Sequence, residues 1–230
     1  PHPTTFGERL PTPAPMTSPA RDASAESGTT RRRVHPRVAV TLLETIRTQD
    51  LPTEVLESED PAITMPRRLG LNDAVDQQIR RYREAARKRE RLSDEELGNL
   101  IRLAVRRPDA EDVFFLAGES LVPDGENRVS RILPSAVGYA LARRRVRRTL
   151  KALFGRSLGG FASGRFTYEG RALPFIQSDP GGEACEIVTG LSSAAIRRYV
   201  PDATAVEHVA CQARSDDVCR WRVAADGEEE

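Results

Sequence analysis

Four residues near the end of the chain have the types and spacing of a metal site: Cys185, His208, Cys211 and Cys219. They include all three cysteines of the chain. Zinc takes four soft or borderline ligands in a tetrahedron, and three thiolates with one imidazole form a standard structural set. Four protein ligands leave no open position, so such a site cross-links and does not catalyse. Two other readings use the same residues. Small buried cysteines pack as hydrophobes, or Cys211 and Cys219 pair as a cross-strand disulfide. Spacing adds a condition. On a regular strand Glu207 shares a face with Cys211, and His208 looks the other way. Glu207 is therefore the alternative fourth ligand. His208, the preferred one, requires a bulge or bend before Cys211.

The elements that must position these residues are a helix and a hairpin. Residues 184–199 have helical spacing, which places Cys185 at a helix start. Residues 203–213 and 218–223 are strand-like around a short polar turn, which predicts a hairpin carrying Cys211 and Cys219. A bound metal would pin the helix start onto that hairpin. Upstream, 161–178 predicts two strands around a turn at Glu169-Gly170. Helices are expected over 36–47, from the N-cap Asn72, after the capping box Ser93 to Glu96, over 110–121 and over 134–154. The expected class is α/β of the α+β kind: an antiparallel sheet covered by helices, with a cysteine-containing C-terminal hairpin and an extended N-terminal tail.

The expected organisation is a Pro/Ala/Thr-rich tail over 1–33, a short helix and irregular connector over 34–70, a principal domain over 71–224 and an acidic tail over 225–230. The N-terminal tail buries too little apolar surface to offset its chain entropy, so it reads as a strap that a partner must order.

Lys and Arg number 35 against 34 Asp and Glu, so any electrostatic function must come from local clustering. One cluster stands out. Arg143, Arg144, Arg147, Arg148 and Lys151 share one face of the 134–154 helix, with Leu141, Val146, Leu150, Leu153 and Phe154 on another. The basic face suits an anionic membrane surface or an acidic protein, or else it is a solvated, salt-bridged surface. No helix-turn-helix or base-stacking pattern points to nucleic acid. No Gly-rich nucleotide loop, serine elbow or nicotinamide or flavin fingerprint points to an enzyme. No run approaches the ~18 apolar residues of a membrane span. Three cysteines and no secretory signal pattern place the chain in a reducing cytoplasm.

The cysteine region resembles the 4-vinyl reductase domain family. Residues 182–190, Gly-Glu-Ala-Cys-Glu-Ile-Val-Thr-Gly, resemble its helix start; 206–211 and 217–223 resemble its closing hairpin. His208 stands where that family has Glu, and Ser215 where it has a turn glycine. Leu133-Pro134, the helix from Tyr139 to Phe154 and the stretch Phe161 to Phe166 extend the likeness to the bacteriochlorophyll-synthesis branch. The resemblance implies a non-catalytic accessory or scaffold subunit of the bacterial photosynthetic apparatus. Its partner would be a membrane pigment–protein complex (reaction centre or light-harvesting proteins), met at the cytoplasmic face of the inner or photosynthetic membrane. The alternatives it implies are a carrier for a bacteriochlorophyll precursor, with a tetrapyrrole contact, or a small-molecule-sensing domain.

Overall fold

The computed structural model describes residues 31–50, 72–122, 134–203 and 205–224. Most of the proline-rich tail, most of the connector, the turn at 123–125 and the acidic end lie outside the described residues. The fold opens with strand β1 (Arg32–Val34) and helix α1 (Arg37–Gln49). Then come α2 (Asn72–Arg87), β2 (Leu92–Ser93), α3 (Asp94–Ala104), α4 (Ala110–Leu121) and α5 (Ser135–Phe154). Strands β3 (Gly159–Phe161) and β4 (Thr167–Gly170) precede α6 (Glu186–Tyr199) and the hairpin of β5 (Val206–Ala210) and β6 (Cys219–Val223). The main sheet has the order β3-β4-β6-β5 and is antiparallel throughout; β1 and β2 pair separately. The expected α+β class is the one observed.

A local signal sets the start of α3. The Ser93 hydroxyl accepts from the Glu96 amide, and the Glu96 carboxylate accepts from the Ser93 amide, so the capping box starts α3. Along α2, Ile79 and Tyr82 face the core and Arg80 and Arg81 face solvent. α1 belongs to the same core through Val38, Ala39 and Leu42, each nearly inaccessible to solvent.

Two expectations need correction. The folded body already includes Arg32 and Arg33, the last residues of the expected tail. Arg32 pairs with Glu96, Arg33 with Asp94, and Val34 is fully buried. The partner strand β2 lies some sixty positions away, beyond the reach of any local pattern. The turn between β3 and β4 also lies earlier than Glu169-Gly170, because both of those residues are in β4. Gly164, at φ 114°, lies between the strands, and Phe161 pairs with Tyr168.

α4 and α6 meet backbone to backbone. A Cβ on Gly118 would lie 2.2 Å from the Ile187 carbonyl oxygen, and one on Gly190 would lie 1.9 Å from the Phe115 carbonyl oxygen. Glycine within a helix is about 1 kcal/mol worse than alanine, and here the close approach of the helices requires it. Gly190→Ala should therefore destabilise the protein, against the usual helix preference, by about 3 kcal/mol. A thermal melt should show a midpoint about 10 °C lower. An unchanged or higher midpoint would mean that the two helices separate freely.

One row of rings crosses the main sheet. Phe161 contacts Tyr168 at 5.1 Å between centroids, and Tyr168 contacts Trp221 at 5.8 Å. Trp221 then stacks on His208 at 4.9 Å, with planes 11° apart. Cross-strand neighbours of this kind stabilise a sheet, and this row ends on a candidate metal ligand.

Candidate metal centre

The helix-start ligand is set by a tight turn. Gly182 has φ 88° and leads into a 3₁₀ turn, Glu183–Cys185, that runs directly into α6. The buried Asp179 carboxylate accepts from the amides of Gly182 and Ala184, at 3.0 and 2.6 Å, and holds that turn. Burial, with the neighbouring Glu183, pushes Asp179 up to about 6. A Cβ at position 182 would lie 2.7 Å from Cys211 Sγ, so both the left-handed backbone and the sulfur require glycine there.

The hairpin supplies the other three. His208 lies opposite Trp221 and Ala210 opposite Arg220, so the register slips between them. This irregularity is the bulge that His208 needed in order to join Cys211. Glu207 is exposed and pairs across the strands with Arg222, outside the cluster. In the turn, the Cys211 amide donates to Asp216 at 2.7 Å, and its carbonyl accepts from the amides of Arg214 and Asp216. Ser215 adopts φ 77°, the left-handed conformation for which glycine is the usual choice.

The four ligand atoms of Cys185, His208, Cys211 and Cys219 all lie within 4.8 Å of one another. Cys185 Sγ is 3.7 Å from Cys211 Sγ and 3.9 Å from Cys219 Sγ. A disulfide would bring sulfurs to about 2.05 Å, and all three cysteines are free. A tetrahedron with Zn–S bonds of about 2.3 Å has S–S edges of about 3.8 Å. The observed spacing fits a tetrahedral ion such as zinc.

Surrounding groups fit the same occupant. The Gln212 amide points at Cys219 Sγ, 3.3 Å away, and the Ala213 and Arg214 amides favour a thiolate at Cys211. The His208 side chain is only 4% exposed, and its Nδ1 lies 3.6 Å from a Glu186 carboxylate oxygen. Its Nε2 is buried without a hydrogen-bond partner among the described residues. A carboxylate behind a ligating imidazole fixes its tautomer and ring orientation, so Nε2 is the atom left for a metal.

The ligand side chains also shift one another's ionisation. Hydrogen bonding from Cys185, aided by His208, pulls the Cys219 thiol down to about 5. Burial opposes charge on His208, but Cys219 and Glu186 outweigh it and push the imidazole up to about 9. Cys185 is held as a thiol by its hydrogen bond to Cys219 and by burial, and Cys211 by burial.

The five basic residues of α5 divide. Arg143 turns towards the sheet, where its guanidinium donates to the Gly164 and Arg165 carbonyls and lies 6.0 Å from the Phe161 ring. It ties down the β3–β4 turn. Arg144, Arg147, Arg148 and Lys151 are exposed, and none forms an ion pair among the described residues. Sequence reasoning missed Glu186 and the stacking role of Trp221. Glu186 follows Cys185 directly, but nothing in the sequence shows that it faces His208. No helix among the described residues is long and apolar enough to cross a membrane. No family model, curated protein or solved structure matches the chain.

Proposed function

We propose that this chain is a non-catalytic accessory subunit, stapled by one structural zinc on Cys185, His208, Cys211 and Cys219, that docks by its basic α5 face on an anionic membrane-associated assembly. The resemblance to the 4-vinyl reductase family gives the partner class, a bacterial photosynthetic pigment–protein complex at the cytoplasmic side of its membrane. The observation that carries the reading is the unpaired charge on α5. Arg144, Arg147, Arg148 and Lys151 lie exposed within two turns of one helix and meet no carboxylate among the described residues. Each basic side chain near an anionic bilayer contributes about 1 kcal/mol, so four of them localise the protein without an apolar anchor.

The test is affinity isolation from native photosynthetic membranes, read by absorption spectrum and protein composition. Wild-type chain should recover pigment–protein complexes, with recovery falling as salt rises. Arg147→Glu with Lys151→Glu should lose most of that recovery while keeping the melt and the metal content. Equal recovery by the reversed-charge variant would refute docking by this face, and free tetrapyrrole without protein would favour the carrier reading.

A further inference from the structure

An open cleft of about 590 Å³ lies beside α5 and shares no residue with the cysteine cluster. Arg37, Arg144, Arg145 and Arg148 line it together with Leu141 and Leu153. No carboxylate is among its lining residues. Arg145 Nε is buried with no hydrogen-bond partner among the described residues. Among the described residues the Arg37 guanidinium meets a backbone carbonyl, that of Ser120 at 3.2 Å, and no carboxylate. Four cationic side chains lining one concavity with no carboxylate among them repel each other. An anion in the cleft would offset that repulsion.

We propose that this cleft binds the phosphate group of an anionic amphipath, the phosphate oxygens among the four arginines and the aliphatic part against Leu141 and Leu153. The proposal rests on the reading of α5 as an anion-facing helix, since Arg144 and Arg148 belong to both surfaces. A carboxylate is satisfied by one bidentate guanidinium, whereas a phosphate presents more oxygens and charge and suits several. His35, also on the wall, accepts the Arg37 amide at Nδ1 at 3.0 Å. Burial and the nearby Arg91 and Arg37 lower its pKa, so it lines the cleft as a neutral imidazole. Leu141 and Leu153 give the wall an apolar part for an acyl chain. The source is either a bilayer phospholipid or a soluble amphipathic phosphate.

The test uses the full-length, metal-loaded protein and three probes: phosphatidylcholine vesicles doped with phosphatidic acid, soluble dihexanoyl phosphatidic acid, and inorganic phosphate. Flotation reads the first and titration calorimetry the others. Saturable binding of either lipid probe, tighter than inorganic phosphate, is expected. Arg37→Gln with Arg145→Gln should weaken it about tenfold or more, with melt and metal content unchanged. Binding to vesicles alone assigns a bilayer lipid, and binding to the soluble probe as well assigns a free amphipathic phosphate. No saturable lipid binding, equal affinity in the double variant, or no gain from the acyl chains over inorganic phosphate would each overturn the proposal. Arg147→Glu with Lys151→Glu lies outside the cleft and separates the two readings. Headgroup binding that persists in a wild-type chain recovering no membrane complex removes the docking reading and leaves the cleft.

Discussion

Cys185→Ser should release the metal and lower stability by about 5 kcal/mol, the large range reached when a substitution removes a structural metal. Cys185 contacts both hairpin sulfurs and is itself fully buried. Its loss leaves three ligands and a harder oxygen, and it unlinks the start of α6 from the β5–β6 hairpin. The effect stays below the ~10–16 kcal/mol of zinc-finger peptides. Those peptides have little other core, whereas here Ala184, Ile187, Val188 and Trp221 still pack the same elements. Elemental analysis should find one zinc per wild-type chain and far less in the variant, and the melting midpoint should fall by about 15 °C. Chelation of wild-type protein should move the midpoint the same way. A metal-free native protein, or a variant that melts like wild type, would rule out the zinc staple.

Acid should act in the same direction, and the sign follows from the proton inventory. Zinc needs three thiolates and a neutral imidazole. Cys185 and Cys211 are held as thiols, and His208, pushed up to about 9, is an imidazolium at neutral pH. Metal uptake must expel all three protons, so affinity falls as pH falls. Cys219, pulled down to about 5, is already a thiolate at neutral pH and adds a further penalty only below that value.

Trp221→Ala should cost about 4 kcal/mol and weaken zinc binding by about tenfold or more. Trp221 heads the fully buried side chains by volume and lies in β6 between its partners on β4 and β5. Removing the indole leaves a cavity against Tyr168 and takes away the ring on which His208 stacks. His208 would then lose the surface that, with Glu186, sets its plane. Trp221→Phe separates the two effects. It keeps a ring in the row and removes a buried indole N–H that has no hydrogen-bond partner among the described residues, so it should recover most of both losses. Denaturant unfolding reads stability, and competition with a chromophoric chelator reads zinc affinity. If Trp221→Ala bound zinc as tightly as wild type, the stack would have no positioning role.

What the sequence by itself determined is short-range. The capping box of α3, the bounds of α4 and the hydrophobic stripe of α2 are visible as caps and periods because each helix bonds to itself within four residues. The four ligand types were legible as residue types, and the hairpin that carries three of them as two alternating runs around a polar turn. The sequence left His208 and Glu207 as alternatives, and only pairing with β6 decides between them, through a register slip that depends on residues a dozen positions away. Tertiary packing likewise placed Glu186 behind His208, turned Arg143 into a tie for the β3–β4 turn, and brought Arg37 beside α5. A side chain's type sets what it can bind. Which neighbours it meets depends on strand register and helix packing, and both are fixed by contacts between residues far apart in the chain.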